Sequence, residues 1–314
     1  MSGETVPKPF PEARPPHIPN ALTRQSQLLV VFALIAIYEL VSGWRSWSGE
    51  FPIPSADQVP LLAHALIPSA IVPLIAVVLF LRRPDARRSM PLLVFGLSLL
   101  TVVTLVEDFD SPIYAMLIGD DISQSASSPG LAAYTVLKSL LRLVGLVYVG
   151  AGIAAARREP ATAMQRPLSI WLGALAVVAI LLAPLGPASA LSAPTTADLI
   201  AAGIGLILSL LVTLAWAYLA SMTVGGWLAG ETPNRAWGLG ALAVTYLLAY
   251  RIFGQLVLWF GEAARPVSVI ASYVSLAAWV LLLIAFAIGL PSPPAGDDAV
   301  STTADPQAAT PPGS

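Results

Sequence analysis

The chain has 314 residues, of which 56% are hydrophobic and only 11% are charged, and its mean hydropathy is +0.78. Soluble domains carry roughly 25% charged residues, so this composition excludes a soluble globular protein and predicts a polytopic membrane protein. The chain has no cysteine and a net charge of −2, which excludes disulfides, thiolate metal sites and cysteine nucleophiles and gives no basis for a nucleic-acid partner.

The two ends of the chain differ in composition from everything between them. Residues 1–26 carry prolines and scattered charges without apolar periodicity, and residues 291–314 are rich in Pro, Ala, Thr and Asp. Neither segment can bury enough apolar surface to offset the entropy of ordering it. We therefore predict two disordered cytoplasmic tails, 1–26 and 291–314, on either side of one transmembrane bundle, 27–290.

Eight apolar segments follow one another between the tails, and each is near the ~20 residues that a helical crossing needs. The fold class that this pattern predicts is an all-α bundle of about eight transmembrane helices. The fifth segment is the least well defined, because Pro184 and Pro187 interrupt its end. The predicted spans are 27–44, 60–81, 90–107, 131–156, 167–184, 197–224, 236–260 and 266–290.

Lysine and arginine are concentrated in alternate loops. Since these residues are retained on the cytoplasmic side, the pattern places the N-terminus in the cytoplasm, and an even number of spans returns the C-terminus there. A bacterial plasma membrane is the predicted location. Only Arg45 and Arg265 fall outside, whereas the cytoplasmic segments hold Lys8, Arg14, Arg24, Arg82, Arg83, Arg87, Arg88, Arg157, Arg158, Arg166 and Arg235.

The fourth span carries Lys138 and Arg142 in the middle of apolar sequence. Each cation costs about 2.5–3.5 kcal/mol at the centre of a membrane helix unless it is compensated. Their i,i+4 spacing puts them on one helix face, and Tyr134 continues that face toward the outside. We expect this face to point into the bundle and both cations to pair across it with Glu39 and Glu107.

Ionisable residues of five spans fall at similar depths in the outer half of the predicted bilayer. We interpret them as a polar cavity that opens to the outside. The three bases outnumber the two acids, and the spare cation would suit a carboxylate, a phosphate or a lipid headgroup. The predicted cavity residues are Glu39, His64, Glu107, Lys138, Arg142, Arg251 and Gln255.

A second feature of the sequence, a pair of prolines, points to a ligand site near His64. Pro68 and Pro73 follow it in the same span, and each removes a backbone donor and kinks the helix. A broken helix beside a polar cavity is a common way to present carbonyl groups to a ligand.

Three function classes remain open at this stage. The first is transport or handling of an anionic solute or lipid headgroup, with membrane lipids as partners. The second is a non-enzymatic structural or assembly subunit of a membrane complex, in which the charges form ion pairs that fix helix packing. The third is an intramembrane enzyme acting on a lipid-like substrate, with Glu39, Glu107 and His64 as its acid–base candidates.

No catalytic residue and no cofactor is assigned from the sequence. No metal site is predicted either, because the acids of the outer loop 108–130 lack regular ligand spacing. Small residues predict helix contacts instead. Gly145 and Gly152 in the fourth span and Gly203 and Gly205 in the sixth permit close backbone approach.

Overall fold

The computed structural model describes residues 20–50, 59–110, 113, 116, 129–157, 174, 196–260 and 265–291. Within the helices, the side chains that lie outside this description are those of 20–25, 46–50, 59–66, 129, 131, 132, 196–202, 206, 254–260 and 265–269. Most of the two predicted tails and of the fifth predicted span, 167–184, also lies outside the described residues.

Every regular element in the described ranges is a helix, which confirms the all-α prediction. The elements are α1 (Asn20–Glu50), α2 (Val59–Arg82), the short α3 (Ala86–Ser89), α4 (Pro91–Asp108), α5 (Pro129–Ala155), α6 (Thr196–Leu228), α7 (Asn234–Phe260) and α8 (Arg265–Ile288).

Six of these helices are long and apolar enough to cross a membrane, and α2 contributes a shorter apolar stretch, Ile67–Arg82. The chain is therefore a multi-pass membrane protein built as a helical bundle. The total of eight spans stays a prediction, since nearly all of the fifth lies outside the described residues.

Local sequence explains where α6 stops and α7 begins. Gly230 has a φ of 72°, a left-handed conformation that glycine adopts without a steric penalty. The amide of Gly230 donates to the carbonyl of Trp227 at 3.0 Å, and the amide of Glu231 donates to that of Gly226 at 3.1 Å. This pair of bonds is a Schellman cap, and it reverses the chain so that α7 packs antiparallel to α6.

Six helices, α2, α4, α5, α6, α7 and α8, pack in that order as a closed ring, in which α8 returns to α2. Helix α1 lies outside the ring and packs on α2 and α4. One end of the ring is closed between α8 and α2 by a hydrogen bond of 2.5 Å from Arg82 Nη1 to the carbonyl of Phe286. The ring encloses a space that α1 does not line.

Glycine sets the distance between α4 and α5. A Cβ at Gly96 would lie 2.6 Å from the backbone nitrogen of Val149, and one at Gly152 would lie 2.6 Å from that of Leu93. The contact that the sequence predicts at Gly145 and Gly152 is thus confirmed. At Gly203 and Gly205 no heavy atom in the described part of the chain lies within 4 Å of a Cβ built there. Because residues 175–195 lie outside that part, the helix contact expected at these two glycines stays a prediction.

Arginines at or near the ends of the helices are concentrated at one end of the ring. The ends of α2 and α5 and the starts of α4 and α7 lie together and carry Arg82, Arg83, Arg87, Arg88, Arg157 and Arg235. The acids Glu107, Asp108 and Asp110 lie at the opposite end, where α4 finishes. The clustering of arginines at one end is the pattern that the positive-inside rule describes.

Labelling of introduced cysteines tests the threading. Because the native chain has no cysteine, single cysteines at Ser89 and Thr232, which are exposed at the arginine-rich end, should resist an impermeant maleimide in intact cells. Cysteines at Ser55, Ser125 and Ser192, which lie outside the described residues, should react. Labelling of Ser89→Cys without permeabilisation would contradict the predicted orientation.

Candidate functional site

The helix ring encloses a cavity of about 400 Å³, which is within the range of small-molecule sites. All six ring helices contribute to its wall. Most of the lining is apolar, and it includes Val72, Ile75, Leu146, Val149, Trp279 and Phe286. Trp216 and Trp279 meet edge to face, with ring centroids 5.9 Å apart.

Charge is confined to the end of the cavity that lies away from the arginine-rich surface. Glu107 of α4, Arg142 of α5 and Arg251 of α7 line this end. Arg251 lies roughly 25 Å along α7 from Asn234, and Arg142 lies roughly 20 Å from the end of α5 at Ala155. The cavity therefore combines an apolar body with a charged end.

The glycine contacts between α4 and α5 place the charges of these helices opposite one another. With Gly96 facing Val149 and Leu93 facing Gly152, the antiparallel register brings the outer end of α4 beside Arg142 and Lys138. Glu107 accepts a hydrogen bond from Arg142 Nη2. The expected pairing of Arg142 with Glu107 is thus observed.

Lys138 is within salt-bridge distance of the predicted Glu107, but its closest partner is Asp110, which was not predicted. Its Nζ donates to Asp110 Oδ2 at 2.6 Å and lies 3.9 Å from Glu107 Oε1. Tyr134, one turn earlier on α5, donates its hydroxyl to Asp110 Oδ1 at 2.5 Å and has its ring centroid 5.4 Å from the lysine nitrogen. Tyr134, Lys138 and Arg142, which share one face of α5, therefore all donate to acids at or just beyond the end of α4.

These ion pairs are partly exposed. The side chains of Glu107 and Arg142 keep 33% and 36% of their surface exposed, whereas that of Lys138 keeps only 14%. Water at this end lowers both the desolvation cost and the strength of the pairs. The same exposure allows an anion to compete with Glu107 for Arg142.

Arg251 differs from the other two cations. Its Nε donates to the hydroxyl of Thr213 on α6 at 3.0 Å, and that hydroxyl donates to the carbonyl of Ser209 at 2.8 Å. No carboxylate of the described residues lies within salt-bridge distance of its guanidinium. Arg142 lies close enough to repel it. The spare cation that the charge count predicts is Arg251.

The chain matches no family model, no curated protein and no solved structure among the known proteins compared with it.

Glu39 does not pair with Lys138 or Arg142, so this prediction is wrong. Glu39 lies on α1, which packs outside the ring on α2 and α4. It also does not line the cavity. His64 lies on α2 and Gln255 lies one turn beyond Arg251 on α7, but both side chains lie outside the described residues, so their places in the site stay predictions.

Sequence reasoning missed three contributors to the site. Asp110 follows the predicted third span and was read as part of an acidic loop, although its position one turn beyond Glu107 was a signal for it. Thr213 and Trp216 lie in a uniformly apolar stretch of α6. They carry no signal of their own, because only the rotation of α6 turns them toward the cavity.

Proposed function

We propose that the protein binds an amphipathic anion, with the charged head at Arg251 and Arg142 and the apolar part along the wall of the ring cavity. The observation that carries this proposal is the guanidinium of Arg251, which lines the cavity and has no acidic partner in the described part of the chain. A guanidinium recognises carboxylate or phosphate through two parallel hydrogen bonds.

The walls narrow the class of ligand. Below the charged end, the cavity is lined by aliphatic and aromatic side chains, which gain free energy by covering an acyl or similar hydrocarbon group. A small hydrophilic anion would leave the apolar walls of the cavity exposed to water or facing an empty space. Membrane lipids and lipid-derived acids combine the two required parts, so we place the protein among those that transport or handle such molecules.

A subunit role is the second candidate, and one observation favours it. Glu107 with Arg142 and Asp110 with Lys138 satisfy each other across α4 and α5, as charges that only fix helix packing would do. That arrangement does not account for Arg251. The structure offers no comparable observation for the enzyme alternative.

Ligand-dependent melting in an uncharged maltoside detergent tests the proposal. Dodecanoate and dodecyl phosphate should raise the melting temperature at concentrations where dodecanol and inorganic phosphate do not, because only the first two carry both parts. At 100 times its dissociation constant, a ligand adds about 2.7 kcal/mol to the free energy of unfolding. An equal rise in melting temperature with dodecanol would show that the cavity does not recognise the negative charge. No change in melting temperature with any of the compounds would favour the subunit role.

A further inference from the structure

Glu39 is a buried acid that the proposed anion site does not use. Only 1% of its surface is exposed, although α1 lies on the outside of the bundle. Phe32 and Ala36 are buried on the same helix face, whereas Ile37, between these positions and Glu39, is 58% exposed. Glu39 therefore belongs to the narrow face of α1 that packs on the ring.

Phe32 stacks on Phe80, and this contact fixes the position of α1 along α2. Because α1 and α2 run antiparallel, Glu39 lies at the level of Pro73, well inside the apolar part of α2. Glu39 is thus well removed from the arginine-rich end of the bundle.

No group described near Glu39 can neutralise a carboxylate there. Both of its carboxyl oxygens are buried without a hydrogen-bond partner among the described residues. On α4, the charged groups near enough to act on it are Glu107 and Asp108, and both repel a negative charge. On α2, the described side chains of Ile67–Arg82 include one charged group, Arg82, at the opposite end; His64 lies beyond them.

The cation nearest in sequence is Arg45, on α1 itself. It follows Glu39 by more than one and a half turns and projects from a different face of the helix. An ionised carboxylate at position 39 would be desolvated, without a partner and next to two acids, which is among the least favourable states for a charge in a protein. A bound proton removes both the desolvation cost and the repulsion.

We propose that Glu39 is a proton-binding site. Its side chain is a neutral carboxylic acid in the folded protein at neutral pH, and it releases the proton to water only when α1 separates from the ring or water enters between them. The bound species is a proton, and the reaction is the reversible ionisation of one carboxyl group. This assignment does not depend on the anion site, because Glu39 lies outside the cavity.

Infrared difference spectroscopy in an ester-free maltoside detergent tests the assignment. At neutral pH the wild-type protein should show the carbonyl stretch of a protonated carboxyl group, with the shift in D₂O that an exchangeable proton produces. Glu39→Gln should lose this band. Asp108→Asn, which removes an exposed acid of α4, should keep it.

Two outcomes would overturn the proposal: identical carbonyl bands in the wild type and Glu39→Gln, or no protonated carboxyl band in the wild type. The second needs no variant, so it remains decisive if Glu39→Gln fails to fold. Labelling the wild-type protein with ¹³C-glutamate should also shift the band, because the isotope moves a glutamate band and leaves an aspartate band in place.

Discussion

Replacing Arg251 with glutamine should strongly weaken binding of an amphipathic anion and leave the fold intact. The guanidinium donates one hydrogen bond to Thr213 and neutralises no acid within the described ranges, so its removal leaves no carboxylate stranded in the bundle. A hydrogen bond to a charged group contributes about 1.5–3 kcal/mol. The loss corresponds to a roughly ten- to hundred-fold rise in the dissociation constant for dodecanoate.

Thr213→Val is the matched control for that experiment. It keeps the cation and the shape of the side chain but removes the hydroxyl that accepts the hydrogen bond from Arg251 Nε. We expect an intermediate loss of affinity, since the guanidinium would remain near the cavity without a fixed orientation. A lower melting temperature for Arg251→Gln together with an unchanged response to dodecanoate would assign Arg251 a purely structural role.

Glu107→Gln should have the largest effect on stability. It removes the carboxylate that pairs with Arg142 and that also lies 3.9 Å from Lys138. Breaking a fully buried pair by removing one partner costs about 3–5 kcal/mol. Because this pair is one-third exposed, we expect a loss of about 1–3 kcal/mol in the free energy of unfolding, measured by thermal or chemical denaturation in detergent.

The converse variant should be milder. In Arg142→Gln, Glu107 keeps Lys138 at 3.9 Å and is still partly compensated. The double variant Glu107→Gln/Arg142→Gln should recover part of the loss, which gives a positive coupling energy. Asp108→Asn should change stability by less than about 0.5 kcal/mol, as surface substitutions usually do. A cost for Glu107→Gln no larger than that of Asp108→Asn would show that water screens the pair almost completely.

The apolar segments of the sequence were sufficient to predict the helices, because a membrane span must form its backbone hydrogen bonds within one continuous apolar helix. The boundaries of α4 and α7 agree with the predicted spans to within about two residues. Such agreement is expected where a proline marks the helix boundary, as Pro91 does at the start of α4.

The partners of the charges could not be predicted in the same way. Sequence position gives the depth of a residue along its helix, but it does not give the neighbours of that helix or its rotation. Glu39 matched Arg142 in approximate depth and is nevertheless separated from it, because α1 packs on the outside of the ring. The predicted span ends before Asp110, which lies just beyond the end of α4 and reaches Lys138 from there.

The position of Arg251 also determines how an anion would sense the transmembrane voltage. Moving one elementary charge across the whole membrane changes its energy by about 2.3 kcal/mol per 100 mV. With the orientation that the arginines predict, Arg251 lies roughly 25 Å from the cytoplasmic start of α7 in an apolar layer ~30 Å thick. An anion arriving from outside would cross only a small part of a uniform field, so its affinity would be nearly independent of voltage. One arriving from the cytoplasm would cross most of the field and would be driven toward Arg251 or away from it as the voltage changes.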